Sequence, residues 1–294
     1  MSNERGERSQ QPEPVQAQAA AGKVDESLVR TSPLEAGRSL PLLVTPRYGQ
    51  LNAAEWALCS RDFIEEKLLN HGAVLLRGFN LSTAADFESF ARAAFGELLE
   101  YRERSSPRSR VQGNVYTSTD YPADQEIFLH NENSYQQSWP MRVLFFCVTA
   151  PPEGGQTPIA DCRRVYDRIP EAIRDQFRSR RWMYVRNFHP GFGLNWQTVF
   201  QTTDRGAVDD QCRKTGVAVE WVDENRLRIR ASRDAIAKHP QTGELTWFNH
   251  ATFFHIMTLD TELQESLRAE FDEADLPSNT YFGDGLPISL EVLE

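Results

Sequence analysis

The chain has 294 residues, 40% of them hydrophobic and 25% charged, with 42 acidic against 32 basic side chains and a formal net charge of −10. That length allows one large domain or two small ones, and the composition excludes a chain that is disordered throughout or fibrous. The acidic balance argues against nucleic acid as a main partner, because phosphate contacts need basic side chains gathered on one face. No run approaches the ~20 apolar residues that span a bilayer, and the opening MSNERGERSQQPEPVQAQAA lacks the apolar core of a secretory signal. Cys59, Cys147, Cys162 and Cys212 form no C-x-x-C pair. The expectation is reduced, structural thiols in a cytoplasmic protein, not a thiolate zinc site.

Residues 1–36 are rich in Gln, Glu, Ser, Ala, Pro and Arg. Such a segment buries too little surface to offset its ordering entropy, so a disordered N-terminal tail is expected there and one domain over 37–294. No internal repeat is present. Residues 54–70 predict a helix with Leu58, Phe63, Leu68 and Leu69 on its apolar side. Residues 72–79 predict a short strand between glycines. Ser82 or Thr83 can cap a following helix whose apolar positions are Phe87, Phe90, Ala91 and Phe95. Residues 102–110, with four arginines and Pro107, predict a solvated loop.

The run MRVLFFCVT at 141–149 is apolar and rich in Phe and Val, which predicts a strand ending at Pro151-Pro152. A Gly154-Gly155 turn and a second short strand at 157–160 are expected next. Helical text follows to Arg180, interrupted near Pro170. Residues 182–188 predict a strand, and 217–222 with 226–229 predict a hairpin around Asp223-Glu224-Asn225. A strand at 245–248 and a helix at 261–274 complete the pattern. Strands predominate late and do not alternate regularly with helices. The expected fold is mainly β with α decoration (α+β), a distorted antiparallel barrel or double-stranded β-helix of the jelly-roll kind.

Six histidines are present, and only His130 has a carboxylate two places on, in His130-Asn131-Glu132. On a strand, residues i and i+2 share a face, so this imidazole and carboxylate can share one metal ion. A second, distant histidine would complete a facial triad that holds Fe(II) and leaves positions open. The pair alone carries little weight. With 42 acidic residues in 294, about one such pair among six histidines arises by accident, and a surface ion pair or capped histidine is the plain alternative.

The surroundings say more. Residues 113–140 read GNVYTSTDYPADQEIFLHNENSYQQSWP, followed by MRVLFFC and then PPEGGQTPIADCRRVYDRIP. A GGQT turn lies at 154–157 and a WFNHATFFH block at 247–255. From about residue 40 to 294 this order closely resembles the taurine/2-oxoglutarate dioxygenase superfamily (TauD/TfdA-like). Within it, the chain is most similar to the clavaminate-synthase-like branch, near the hydroxylases of nonribosomal-peptide antibiotic clusters typified by the syringomycin-pathway hydroxylase.

The resemblance implies a double-stranded β-helix with His130 and Glu132 as iron ligands, Glu being the carboxylate that this branch uses. It implies that the Thr157 hydroxyl bonds the distal carboxylate of 2-oxoglutarate, with Fe(II), 2-oxoglutarate and O2 as cofactor and cosubstrates. The implied reaction converts 2-oxoglutarate to succinate and hydroxylates an unactivated carbon. The implied substrate is an amino acid, free or on a peptide-synthetase carrier domain, in antibiotic or other secondary-metabolite biosynthesis. Tyr135, Asn249 and His255 are candidate pocket residues. Halogenation is disfavoured because Glu132 is present.

The family normally carries a third histidine ligand and a clamping arginine further along, but no histidine follows His255 and no arginine follows Arg268. The expectation is therefore a C-terminally incomplete domain without its last strands. His250 or His255 would either replace the missing ligand or pack beside the pocket. The rival reading is a non-catalytic binding or scaffold protein with a degenerate metal site. A zinc hydrolase is disfavoured, because no H-E-x-x-H helix is present.

Overall fold

The computed structural model describes residues 26–100, 108–118 and 127–293. Its first sheet has three strands. β1 (Val29–Pro33) lies antiparallel to β2 (Leu42–Pro46), and β2 runs parallel to β3 (Val74–Leu76). Residues 29–33 thus belong to a sheet, which corrects the expected tail. Val29 is buried, and pairing along all five residues of β2 supplies the hydrogen bonds that the polar text around it could not promise. Residues 1–25 of the expected tail lie outside the described residues.

Two helices follow β2: α1 (Ala53–Cys59) and α2 (Arg61–His71). The single helix expected over 54–70 breaks at Ser60, whose backbone (φ −119°, ψ 19°) leaves the helical region. The next helix, α3 (Ala84–Phe95), starts at Thr83 as its text predicts. Val44, Trp56, Phe63, Ile64 and Phe90 from these elements form the N-terminal core. A small hairpin, β4 (Arg110–Gln112) and β5 (Val115–Tyr116), turns at Gly113, which has φ 48° and the Glu88 carboxylate against it.

The second half opens with α4 (Cys162–Arg168) and α5 (Glu171–Arg180), split at Pro170 as expected. The strand β6 (Trp182–Phe188) then enters, followed by α6 (Trp196–Phe200) and α7 (Arg205–Lys214). The hairpin of β7 (Ala218–Trp221) and β8 (Leu227–Arg233) closes where its text predicts. There the Asp223 carboxylate accepts the backbone N–H groups of Asn225 and Arg226, each at 2.8 Å.

β9 (Ile236–Lys238) pairs with β10 (Leu245–Trp247). α8 (Thr261–Glu270) ends four residues before the expected 274, because Phe271 turns to an extended backbone. β11 (Ser278–Phe282) and the short α9 (Leu290–Leu293) follow. The main sheet has the order β11-β6-β8-β7, every pair antiparallel. Phe177, Trp182 and Phe282 bury one end of it, and Phe188, Trp196 and Leu227 the other.

Two expected strands are not strands. Residues 141–146 have no regular structure but alternate in burial, with Met141, Val143 and Phe145 55%, 49% and 65% exposed. Arg142 pairs with Glu65 and lies over the Phe95 ring, Leu144 packs on the N-terminal core, and Phe146 stacks on Phe87. The period of two is real, but among the described residues no strand lies alongside to complete a ladder. Residues 157–160 are likewise irregular and exposed. The strands of the described residues form four separate sheets and no closed barrel, so the mixed α+β class holds while the expected barrel closure does not. Cys59 and Cys147 are exposed, Cys162 is half-buried and Cys212 is buried. Among the described residues no helix is long and apolar enough to cross a membrane.

Candidate metal centre

Residues 127–139 cross from the hairpin to the second half without regular structure and are held by specific contacts. The Asn131 side chain accepts the backbone N–H of Asn249 at 3.2 Å and donates to Cys162 Sγ at 3.2 Å. The Tyr135 carbonyl accepts from Arg233 Nε at 3.1 Å, and the Trp139 ring meets Phe248 at 4.9 Å. The chain turns tightly at 131–134. Ser134 N–H bonds the Asn131 carbonyl at 3.2 Å, and Asn133 sits at φ 59°, a region asparagine enters more readily than most residues. Glu132 is therefore in a turn and His130 just before it, neither on the strand that the i, i+2 argument supposed. The turn still brings them together, with His130 Nε2 3.6 Å from Glu132 Oε2.

The two groups shape each other's chemistry. His130 Nδ1 lies 2.8 Å from the Phe128 carbonyl, which accepts only, so Nδ1 carries the proton and Nε2 faces the carboxylate. Glu132 beside it raises the imidazole's affinity for a second proton, against the opposing effect of burial. His130 in turn holds the Glu132 carboxyl below its usual range, and the Arg108 guanidinium adds to this. The carboxylate oxygens are divided between partners: Oε2 faces His130, and Oε1 accepts from Arg108 Nη2 at 3.1 Å.

This donor set fits two positions of a divalent metal centre. An imidazole lone pair aimed at a carboxylate is favourable only with a cation between them, either a proton or a metal ion. Two donors each ~2.1 Å from one ion stand at most ~4.2 Å apart, so the observed gap can be bridged. A carbonyl on the far nitrogen is the usual orienting partner of a ligating histidine. Among the described residues no group of three His, Cys, Asp or Glu side chains could hold a metal ion.

His250 is the nearest further histidine, its ring 5.6 Å from that of His130. It is 3% exposed, its Nδ1 lies 2.5 Å from Ser134 Oγ, and it packs against Tyr135, Phe253 and Phe254. Burial, with His130 adding, pushes its pKa down to about 3. It is a neutral neighbour of the pair. Phe253 also covers the His130 ring at 4.6 Å.

The other expected site residues are placed as follows. Tyr135 is half-buried and edges onto His250 and Phe254. Asn249 is buried and builds the turn after β10: it donates to the Ala235 carbonyl and accepts from Ala251 N–H, each at 3.0 Å. His255 is buried and accepts from Met257 N–H at 3.1 Å as the cap of a short 3-10 turn, with its pKa pushed down to about 4 by burial. Thr157 is exposed, and no contact among the described residues joins it to His130 or Glu132. Sequence reasoning missed Arg108 and Ser134. Arg108 is one of several loop arginines and Ser134 an ordinary serine, so neither carried a local signal.

The description "taurine catabolism dioxygenase TauD, TfdA family" is matched by residues 37–294. The chain is 37% identical over 262 residues to the dapdiamide synthesis protein DdaC of Enterobacter agglomerans, covering 89% of this chain and 79% of that protein. It is 28% identical over 229 residues to a clavaminate synthase-like protein of Arabidopsis thaliana, covering 74% and 68%. The chain belongs to the TauD/TfdA dioxygenase family and to its clavaminate-synthase-like branch.

Proposed function

We propose that this chain is an Fe(II)/2-oxoglutarate-dependent oxygenase that hydroxylates an unactivated carbon of an amino acid, free or bound to a peptide-synthetase carrier domain. It acts in the cytoplasm, in the biosynthesis of an antibiotic or another secondary metabolite. The observation that carries this reading is the His130–Glu132 pair, with Nδ1 pinned to a carbonyl and Nε2 turned to the carboxylate. Family membership and similarity to a protein of dapdiamide synthesis support the reaction class and the biosynthetic setting.

Bound iron supplies the activation of dioxygen, with 2-oxoglutarate as the two-electron reductant. The protein's own part is to hold and to exclude. His130 and Glu132 fix the donor positions, Phe253 covers the imidazole, and Tyr135 lines the apolar side next to His250. Thr157 can donate one hydrogen bond to the distal carboxylate of the cosubstrate, a modest anchor without a cation. Asn249 and His255 serve the pocket by holding the backbone of the block that carries Phe253 and Phe254.

The test is Fe(II)-dependent formation of succinate from 2-oxoglutarate, with a panel of free and carrier-bound amino acids, alongside direct Fe(II) binding. His130→Ala is expected to lose both binding and turnover; retained iron affinity in that variant removes His130 from the centre. A second reading, a binding or scaffold protein with this fold, draws on the finding that no three His, Cys, Asp or Glu side chains among the described residues are arranged to hold a metal ion. Its signature is amino-acid binding with no succinate formed under any condition.

A further inference from the structure

We propose that Arg108 is a positioning residue of the metal centre: by taking Oε1 of Glu132 it presents Oε2 as the one oxygen turned toward His130 Nε2. The inference rests on the reading of His130 and Glu132 as the iron-holding pair.

A glutamate carboxylate rotates broadly about its last torsion and can offer an ion one oxygen or both. Here that choice is constrained. Arg108 Nη2 stands 3.1 Å from Oε1, while Oε2 lies 3.6 Å from the imidazole nitrogen. Both side chains of the ion pair are largely covered, 21% exposed for Arg108 and 25% for Glu132. The guanidinium is planar, and its Nη2 meets Oε1 directly, so it can hold that oxygen in a defined direction whether or not a metal is present. A carboxylate held to one oxygen occupies one coordination position instead of two. That matters in a centre that must leave room for dioxygen and a chelating oxo-acid. Arg108 also lies two residues before β4, so the bond ties the β4–β5 hairpin to the turn of residues 131–134. A lysine at this place would keep the charge but not the planar N–H that meets Oε1 in a fixed direction.

Co(II) serves as the probe, because its d–d absorption reports coordination. The full chain, Arg108→Gln and Arg108→Lys are titrated with Co(II), and thermal midpoints are recorded for each. Arg108→Gln is expected to bind Co(II) about 10- to 100-fold more weakly, the usual cost of losing an outer partner. Its d–d absorption should change, its thermal midpoint should stay close to that of the unaltered chain, and Arg108→Lys should recover only part of the affinity. Unchanged affinity and spectrum in Arg108→Gln would overturn the proposal and leave a surface ion pair. Full recovery by Arg108→Lys would also overturn it, because charge alone would then suffice. A fall in thermal midpoint that accompanies lost binding in both variants marks a structural role and overturns it too. If the unaltered chain binds no Co(II), the iron-pair reading itself fails and takes this inference with it.

Discussion

His130 and His250 carry the same ring 5.6 Å apart and meet opposite conditions. Glu132 beside His130 raises its affinity for a proton, so the stabilisation from that pair is present below the ordinary value of 6.5 and is lost as pH rises through the raised pKa. His250 is buried among aromatic rings and stays neutral down to about 3. An unfolded chain takes up its proton near 6.5 while the folded chain refuses it, so His250 costs stability as pH falls from 6.5 toward 3. Each pH unit in that window costs up to about 1.4 kcal/mol. We expect urea-unfolding free energies to decline across this window and His250→Gln to decline less steeply. Equal slopes in the two proteins would show that His250 does not titrate as its burial dictates. Ser134, bonded to the same imidazole, was invisible in the sequence, because its partner is 116 residues away.

Among the elements, α3 shows local text acting directly on structure. Thr83 Oγ1 accepts the N–H of Asp86 at 3.1 Å, and the Asp86 carboxylate accepts that of Thr83 at 2.9 Å, a reciprocal cap. Thr83→Ala should lower unfolding free energy by about 1 kcal/mol, read from a denaturant titration, because one end donor loses its acceptor. The β7–β8 hairpin was equally readable, since Asp223 makes its turn within four residues. β1 was not. Val29 is followed by polar residues, and its strand exists through pairing with β2, where Val29 meets Pro46 and Pro33 meets Leu42. Residues 141–146 show the converse: alternation sets which side chains turn inward but cannot supply a neighbouring strand.

At the scale of the molecule, two sets of buried residues share no member. One gathers around Val44, Trp56 and Phe63, the other around Phe177, Trp182 and Phe282. Residues 131–146 join them. Asn131, Tyr135 and Trp139 contact the second half, while Arg142, Leu144 and Phe146 contact the first. His130 and Glu132 stand at the start of this strap, so the candidate centre lies where the two halves meet. Cores without shared partners should respond independently. Ile64→Val and Ile288→Val, one in each core, should each cost about 0.5–1.5 kcal/mol. The double variant should match their sum to about 0.5 kcal/mol. A larger departure in denaturant unfolding would show that the strap couples the cores energetically.

What the sequence determined by itself was chemical identity and local shape. It marked an imidazole and a carboxylate two residues apart, the helix starts, the hairpin, the α+β class and the order of motifs that the family match bears out. These depend on residues a few positions apart, where covalent geometry and side-chain preference act directly. Tertiary structure decided how the pair is held. A turn at Asn133 replaces the expected strand, Asn131 is anchored to Asn249 118 positions on, and Arg108 takes one oxygen of Glu132 from 24 positions back. It also decided that His250, and not His255, stands beside His130. No spacing rule carries such contacts, because they arise only when distant segments are packed and their buried polar groups must find partners.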